Sequence, residues 1–458
     1  MQFKIFIIKQ FLRIINIFKG EKYIYSQEYE DNSKYMNFEE KLWWGYKALI
    51  RQVEHAQKGK NIEEYFKKQN LFFYKDSDFK VKEKVNITAG GDLSTSEILT
   101  QHSFKNLWNE VEEFFFSGDI ICSNLETPLY IKKPMSGVPV MCLSAPALNT
   151  TKEIFECYSK HGKGINFFST ANNHSLDMGE EGLLATLDFL DKNGYKHRHV
   201  GTARDIKEQM NIPIIEKNGI RIAFLAYTYC LNDHDLIPGK EYMANVIRLN
   251  KPNTSISLIE EHIKIAHEKN ADIIVAMLHW SIEFETYPIE NVIKMGHKII
   301  EAGVDIILGG HPHVVQPMEK YKFIDPFTKA KKEGFILYSF GELVSYNTFS
   351  KNSRLALLLK LEISKGIQKD KDVTKITGIQ VLPIYTLVRK LKNGIYDYRL
   401  LDFLKTLSDL RRGKNIYCFT KNQINEIKRL EKLLFEKILP INNKEIIYRN
   451  KLGSDKLC

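Results

Sequence analysis

The sequence predicts an α/β fold with a largely parallel central sheet. From Val85 onward, short apolar runs alternate with amphipathic stretches of helical length. This alternation is typical of α/β domains, because neighbouring parallel strands need a crossover connection. The predicted strands are "KVNITAGGD", "DIICSNLE", "INFFSTANNH", "RIAFLAYT", "DIIVAMLHW", "DIILGGHPH" and "FILYSFGE". The clearest predicted helices between them are "GEEGLLATLDFLDKNG" and "YPIENVIKMGHKIIEAG".

The regions on either side of this alternation carry no chemical motif. Residues 1–84 are predicted to be an N-terminal helical extension. Residues 85–365 hold every candidate site residue, and residues 366–458 are predicted to add strand and then helix at the C-terminal end. The strand-like runs here are "RLALLLKLEI" and "KITGIQVLPIYTLVRK", and the tail from about Asp397 is predicted to be helical. The sequence therefore predicts one chemical domain with two extensions.

Two helices are predicted in the N-terminal extension. Asn37 is a candidate N-cap for a helix that would stop near Gly59. Residues 1–20 are predicted to form an amphipathic helix, whose polar face includes Lys9 and Arg13. That helix can lie on a membrane surface, or it can pack on this chain or on another subunit. The sequence shows no clear cleavable signal and no apolar run of ~20 residues, so we expect a cytoplasmic or membrane-associated protein.

Composition favours an anionic partner and reduced cysteines. The formal net charge of +10 suits an anionic polymer, a phosphorylated substrate or an anionic membrane, although solubility alone would also explain it. The six cysteines include no C-x-x-C pair, so neither a disulfide framework nor a zinc–thiolate site is predicted. No basic patch with interleaved aromatic residues is evident, which disfavours a nucleic-acid partner.

Five predicted strands end in side chains that can bind a metal ion. Ligands of open α/β sheets bind at the carboxyl ends of the strands, so these side chains can converge. Carboxylate, amide and imidazole donors without thiolate suit manganese, iron or zinc in a hydrolytic site. Each residue alone has a simpler reading as a cap, a turn residue or a core histidine, but their shared position favours a site. The candidate ligands are Asp92, Glu126, Asn173, His279, His311 and His313.

The segment "GGHPH" is predicted to aim two imidazoles in one direction. Pro312 favours an extended conformation at His311, and extended backbone places residues i and i+2 on the same side. His311 and His313 should therefore face one point. His197 and His199 have the same spacing in "HRHVG" but lack the proline, and they are the weaker candidates.

These motifs resemble those of the CapA-type poly-γ-glutamate capsule biosynthesis family, a branch of the calcineurin-like metallophosphoesterases. The resemblance covers roughly residues 85–345 and rests on the ordered motifs "SNLETPL", "ANNHSLDMGEEGL", "LHW", "GGHPHVVQP" and "ILYSFGE". It implies a four-layer αββα sandwich that holds one or two divalent metal ions. By position, it implies that the six candidate ligands bind metal and that His174 assists the leaving group.

Three positions depart from the pattern of the wider superfamily. Ser94 stands where a histidine of the first motif is expected, and Glu126 replaces an aspartate, as it does in the CapA branch. Glu342 stands where that branch usually has asparagine. The site can therefore hold one metal ion, be a remodelled two-metal site, or have lost its activity.

The resulting hypothesis is metal-assisted hydrolysis. A bound ion would lower the pKa of a water molecule and polarise the electrophile, while His174, held by Asp177, would protonate the leaving group. The resemblance implies an anionic polymer or its precursor as substrate, and proteins of capsule synthesis as partners. Two alternatives are an accessory protein that binds a polyanion without chemistry, and a phosphoesterase acting on a nucleotide or another small phosphoester.

Overall fold

The computed structural model describes residues 7, 9–15, 24–26, 32–138, 146–345 and 350–448. Much of the predicted helix over 1–20 lies outside these residues, as do Cys142 and Cys458. Residues 9–15 are helical, in agreement with the prediction for that part.

The described chain is a mixed α/β protein with two main sheets. The strands in chain order are β1 Lys80–Leu93, β2 Ile120–Leu125, β3 Ser159–Lys160, β4 Lys163–Gly164, β5 Phe167–Ser169, β6 His199–Val200, β7 Ile214–Lys217, β8 Ile220–Thr228, β9 Ile273–His279, β10 Ile306–Gly310, β11 Val315–Ile324, β12 Lys331–Phe340, β13 Glu342–Val344, β14 Leu355–Gln368, β15 Lys371–Lys390 and β16 Tyr396–Asp402.

Both large sheets are parallel at their centres and antiparallel toward an edge. The first sheet has the order β16-β15-β14-β1-β2-β5-β6, and β13 also pairs with β1. Its strands β1, β2, β5 and β6 are parallel, whereas β14, β15 and β16 join by antiparallel pairing. The second sheet has the order β11-β12-β10-β9-β8-β7, with a parallel centre and antiparallel outer strands β7 and β11. The predicted parallel core is thus present within mixed sheets.

Helices connect the strands and cover the ends of the chain. The α-helices are Phe38–Leu49, Ile62–Lys67, Glu112–Phe115, Lys152–Glu156, Gly179–Leu190, Ile206–Gln209, Ser257–Glu268, Glu290–Glu301, Phe403–Arg411 and Lys421–Leu433. Crossover helices Ser257–Glu268 and Glu290–Glu301 link the parallel strands β8, β9 and β10, as βαβ connections require.

The N-cap prediction for Asn37 is confirmed, but that helix is shorter than expected. The Asn37 side chain accepts from the backbone N–H of Glu40, and the Glu40 carboxylate accepts from the Asn37 N–H, which forms a capping box. The helix ends at Leu49 instead of continuing toward Gly59. The reason is a tertiary contact, because Val53 leaves the helix and pairs with the chain around Glu285.

The C-terminal tail begins its helical part later than predicted. Tyr396–Asp402 is a strand that pairs with β15, and the first helix of the tail begins at Phe403. The side chain of Asp402 caps that helix by accepting from the N–H groups of Leu404 and Lys405. Strands β15 and β16 extend the first sheet, and β14 joins them to β1, the strand that carries Asp92. The domain boundaries themselves stay a prediction.

One apolar core contains side chains of both large sheets. Ile87 of β1 and Val275 of β9 belong to the same cluster of buried residues. The rings of Phe167 and Phe224, one from each sheet, stack with centroids 4.0 Å apart. Burial of apolar surface is the main favourable contribution to folding, and this shared core holds the two sheets next to each other.

The helical residues 9–15 contact the body of the chain along one side only. Leu12 is buried beside Leu49 and Phe284, whereas Phe11 and Ile14 are about half exposed. Within the described residues, no helix has the length and apolar character needed to cross a membrane.

Candidate metal centre

The structure brings the six candidate ligands to one edge of the two sheets. Asp92 lies near the end of β1, Glu126 follows β2, and Asn173 follows β5. His279 is the last residue of β9, and the two remaining histidines follow β10. Five of the six side chains belong to buried residues, and the side chain of His313 is 14% exposed. Residues that are up to 221 positions apart in sequence therefore share one site.

His279 lies at the centre of this cluster. Its Nε2 atom is 2.9 Å from Asn173 Oδ1 and 3.2 Å from Glu126 Oε1. Its Nδ1 atom lies 3.8 Å from Asp92 Oδ1, and the His279 and His311 ring centroids are 4.9 Å apart. One imidazole thus lies next to candidate metal ligands from four other strand ends.

The turn after β10 does not have the extended geometry predicted for "GGHPH". His311 and His313 adopt positive φ angles of 97° and 56°. The chain turns sharply here because the backbone N–H of His311 donates to Asp92 Oδ2 at 2.9 Å. The two rings still lie close, with centroids 6.0 Å apart, so the convergence has a different cause from the one expected. Positive φ at non-glycine residues is strained backbone of the kind found at functional sites.

Gly310 allows this turn to approach Asp92. A Cβ atom at Gly310 would lie 2.5 Å from Asp92 Oδ1, which no ordinary side chain tolerates. Asn124 adds a second fixed contact, because its Nδ2 atom donates to Asp92 Oδ1 at 2.8 Å. The Asp92 carboxylate is therefore held in place by the backbone of one sheet and a side chain of the other.

His174 forms a second small group beside the cluster. Its Nδ1 atom lies 2.6 Å from Asp177 Oδ2, and Asp177 also accepts from the backbone N–H of Leu148 at 2.6 Å. Asn232 approaches the His174 ring at 3.4 Å and accepts from Asn173 Nδ2 at 3.1 Å. Asn232 thus links the candidate ligand Asn173 to its neighbour His174.

Burial and charge set the protonation of the cluster. Burial holds the pKa of His279 well below its usual value, so this imidazole is neutral, as a metal ligand must be. Burial, together with the nearby Glu126, raises the pKa of Asp92. Burial would lower the pKa of His313, but Glu126 and Glu283 outweigh it and raise that pKa well above the usual value. Metal binding at His313 would therefore release a proton.

The cluster fits a divalent metal ion. Three groups have one ligand atom from each member within 4.8 Å of the others: Glu126 with His279 and His311, Asp92 with Glu126 and His313, and Glu283 with His311 and His313. The carboxylate oxygens of Glu126 are fully buried and accept no hydrogen bond from the described residues. A buried carboxylate without hydrogen bonds is destabilising unless a cation neutralises it. Oxygen and imidazole donors suit manganese, iron or zinc equally.

The pair His197 and His199 lies elsewhere. His199 Nε2 pairs with Asp191 Oδ1 at 3.1 Å, and both histidines line a separate cavity at the edge of the first sheet. Neither histidine belongs to the metal-type groups found among the described residues.

Sequence reasoning missed three residues that the structure places at the site. Glu283 lies 3.4 Å from His313, Asn124 contacts both Asp92 and His279, and Asn232 contacts His174. Two features of the sequence could have indicated two of these residues. Glu283 follows His279 by four residues, and Asn232 follows the end of β8, a strand with no candidate of its own.

Comparisons with known proteins agree with the motifs of the site. Residues 86–347 match the family model described as "Bacterial capsule synthesis protein PGA_cap". The chain is 26% identical over 290 residues to "Capsule biosynthesis protein CapA" of Bacillus anthracis, a match that covers 60% of this chain and 63% of that protein. It is 28% identical over 292 residues to "PGA biosynthesis protein CapA" of Bacillus subtilis (strain 168), with 63% of this chain and 69% of that protein covered. The chain thus spans slightly less than two thirds of the first relative.

Proposed function

Because the chain belongs to the bacterial capsule synthesis protein family PGA_cap, we propose that it acts in capsule polymer biosynthesis as a metal-dependent hydrolase. The substrate in this proposal is an anionic polymer of the poly-γ-glutamate type, or a precursor of it, consistent with the names of the two Bacillus relatives.

The observation that carries this proposal is the buried cluster of imidazole, carboxylate and amide groups at the strand ends. Glu126 has a fully buried carboxylate within 3.2 Å of His279, and Asn173 presents its amide oxygen to the same imidazole at 2.9 Å. A site that serves only to stabilise the fold would pair these groups with hydrogen-bond donors. Here few hydrogen-bond donors face the cluster and several acceptor atoms converge, which is the composition of a cation site.

Each residue has a separate task in the proposed chemistry. When bound, a divalent ion would supply a water molecule of lowered pKa and polarise the electrophile. Asp177 holds the Nδ1 side of the His174 ring, which leaves Nε2 as the atom that delivers a proton. Burial would lower the pKa of His174, but the charge of Asp177 and its hydrogen bond outweigh this and raise it, which favours a protonated general acid.

The same proposal includes partners and a membrane contact. The net charge of +10 suits a polyanionic or phosphorylated substrate, and other proteins of capsule synthesis are the expected partners. The exposed side chains of Ile7, Phe11 and Ile14, next to Lys9 and Arg13, suit peripheral contact with an anionic membrane surface. We further propose that the two sheets are the inner layers of a four-layer αββα sandwich of the metallophosphoesterase type, an arrangement supported by their shared apolar core.

The test is a substrate panel with the metal-loaded protein. Phosphomonoesters, phosphodiesters, nucleotides and γ-glutamyl oligomers would be supplied with Mn²⁺, Fe²⁺ or Zn²⁺ in turn. The proposal expects turnover of a γ-glutamyl or polymer-linked substrate that disappears with a chelator and in the His279→Ala variant. Turnover confined to nucleotides or other small phosphoesters would instead support the phosphoesterase alternative.

A non-catalytic binding role is the second candidate, and two positions favour it. Ser94 replaces an imidazole expected in the first motif, and Glu342 adds a carboxylate 3.4 Å from His313. A metal-dependent binding site for polymer carboxylates needs no general acid. Tight binding of γ-glutamyl oligomers by wild type and by the His174→Ala variant, with no turnover by either, would support this role and contradict hydrolysis.

A further inference from the structure

The N-terminal extension reaches the "GGHPH" turn of the site through a row of backbone hydrogen bonds. Val53 donates its N–H to the carbonyl oxygen of Phe284 at 3.2 Å, and its own carbonyl oxygen accepts from the N–H of Thr286 at 2.8 Å. The N–H of Phe284 in turn donates to the carbonyl oxygen of Pro312 at 2.9 Å. The loop at residues 281–287, here called the β9 loop, is therefore bonded to the extension on one side and to the histidine turn on the other.

Side chains follow the same route from the extension to His313. Trp44, in helix Phe38–Leu49, donates its indole Nε1–H to the Glu283 carboxylate, and its ring meets Phe284 edge-on at 6.2 Å. Glu283 Oε1 lies 3.4 Å from His313 Nε2, and the Phe284 ring stacks on the His313 ring at 5.9 Å. The Nδ1 atom of His313 is buried and forms no hydrogen bond within the described residues. Glu283 therefore lies on the Nε2 side of the ring and leaves Nδ1 available to an ion.

A buried ion pair and an apolar cluster attach the β9 loop to the same helix of the extension. Lys47 Nζ lies 3.1 Å from Glu285 Oε1, and both side chains are fully buried. Phe284 belongs to a small buried cluster with Ala48 and Leu49. A shift of the β9 loop away from the helix would leave a buried charge without its partner, which is strongly unfavourable. The position of the loop therefore depends on the extension.

Another part of the extension holds the loop at residues 231–236, here called the β8 loop. The Ser33 hydroxyl donates to Asp233 Oδ1 at 2.8 Å, and the Tyr35 hydroxyl donates to Asp235 Oδ1 at 2.9 Å. These hydrogen bonds join two segments that are about 200 residues apart in sequence. The extension thus contacts two separate loops of the body.

The β8 loop supports the other side of the site. Its Asn232 lies 3.4 Å from His174 Nδ1 and accepts from Asn173 Nδ2 at 3.1 Å. Its His234 has Nε2 at 3.9 Å from Asp177 Oδ1. The two loops that the extension holds are therefore the two that contact opposite ends of the site, one beside the metal-type cluster and one beside the candidate general acid.

We propose that the N-terminal extension is a working part of the candidate metal centre: it holds the β9 loop against His313 and the β8 loop against His174, and Trp44 is its main positioning residue. Trp44 acts through Glu283, which orients the ring of His313. The match to the family model begins at residue 86, so Trp44 acts from outside the matched region. This inference rests on the proposed metal-dependent function.

The first measurement is hydrogen–deuterium exchange of the metal-free full chain, followed by mass spectrometry. Trp44→Phe keeps an aromatic ring against Phe284 but removes the indole donor. Backbone N–H groups of the β9 loop should then exchange about 10-fold faster, while those of the β8 loop are unchanged. The double variant Ser33→Ala with Tyr35→Phe should give the opposite pattern. An unchanged β9 loop in Trp44→Phe, or faster exchange throughout that variant, would overturn the inference.

The second measurement is the affinity for Mn²⁺, by calorimetric titration. Trp44→Phe should lower it about 10- to 100-fold, the range typical of residues that orient a ligand. Trp108→Phe is the matched control, because it also removes an indole donor, one that bonds at 2.8 Å to the carbonyl oxygen of Cys157, in neither loop. The control should keep the wild-type affinity even where its unfolding free energy falls. Equal losses of affinity in the two variants would mark general destabilisation and overturn the inference.

A double-mutant cycle tests the route from Trp44 to the site. If Trp44 acts through Glu283, Trp44→Phe should leave the Mn²⁺ affinity of a Glu283→Ala protein nearly unchanged. Additive losses in the double variant would show that Trp44 acts by another route and would overturn its assignment as a positioning residue. The expected changes in exchange and affinity, without turnover on any substrate, would leave the inference standing and contradict the proposed hydrolase function.

Discussion

Asp177 Oδ2 lies 2.6 Å from Nδ1 of His174, and both side chains are more than nine-tenths buried. The three-residue spacing lets one short turn carry both groups, so the orientation of the ring depends on few other contacts. Carboxylate–histidine pairing of this kind fixes the tautomer and raises the basicity of the imidazole. The pair thus forms a separate group beside the histidines that face the carboxylate cluster.

We predict that His174→Ala lowers turnover by about 10²–10⁴ and leaves metal content near that of wild type. Asp177→Asn should lower turnover less and shift the alkaline limb of the pH–rate profile to lower pH, because the carboxylate that raises the pKa of His174 is lost. Steady-state rates and elemental analysis on the same samples check both variants. Parallel loss of metal and activity would mark His174 as a ligand instead.

A second prediction concerns Asn232, which bridges Asn173 and His174. Asn232→Ala removes the acceptor that holds Asn173 Nδ2, so the amide oxygen that faces His279 loses its fixed orientation. We expect metal affinity to fall by about 10- to 100-fold, the range typical of residues that orient a ligand. Calorimetric titration with Mn²⁺ measures this change. An Asn232→Ala protein with wild-type affinity would show that Asn173 needs no such support.

The strand-end residues could be predicted from sequence because each follows an apolar run directly. Asp92 and His279 lie at or next to the last residue of their strands. For these two residues the local sequence pattern and the position in the fold therefore coincide. Glu283 could not be found in this way. Its approach to His313 depends on contacts with Trp44 and on the pairing of Val53, which come from a region more than 200 residues earlier.

The turn at His311 and the strand Tyr396–Asp402 could not be predicted from local sequence for a similar reason. Pro312 indicated an extended conformation at His311, but a hydrogen bond to Asp92 imposes positive φ there. Helical character was predicted from about Asp397, yet Tyr396–Asp402 becomes a strand because β15 offers an open edge. In both cases pairing with another part of the chain outweighs the local preference.

A buried ion pair in the N-terminal region provides a third prediction. Lys47 Nζ lies 3.1 Å from Glu285 Oε1, and both side chains are 0% exposed. Lys47→Met should lower the free energy of unfolding by about 3–5 kcal/mol, because it removes a buried cation that lies 3.1 Å from the Glu285 carboxylate. The double variant Lys47→Met with Glu285→Met should recover most of that loss. Denaturant unfolding of both variants checks this, and a double variant as unstable as the single would contradict it.

The fourth prediction concerns acid stability. His262 is buried, and its Nδ1 atom shares a hydrogen bond of 2.7 Å with the Tyr227 hydroxyl. Burial lowers the pKa of His262 to about 4. A lowered folded-state pKa gives stability that is complete above the unfolded value of about 6.5 and is lost as the pH falls toward 4. The loss is on the order of 3 kcal/mol for a shift of this size.

His262→Phe removes this titration while keeping an aromatic ring beside Tyr227. Its free energy of unfolding should therefore fall less than that of wild type between pH 7 and about pH 4. Chemical denaturation at several pH values measures the difference between the two proteins, which cancels the contribution of the other histidines. Two curves that stay parallel over this range would contradict the assignment.

The position of β1 has a consequence for how the chain folds during synthesis. One neighbour of β1 in the sheet is β2, which follows soon after it. The others are β13 and β14, which begin only at Glu342 and Leu355. Pairing over such a separation requires closure of a very long loop, which slows folding. Until the ribosome has released β14, the apolar strand that carries Asp92 has one unpaired edge, a surface prone to aggregation. Recovery of folded protein should therefore depend on the speed of translation and on chaperones that cover this edge.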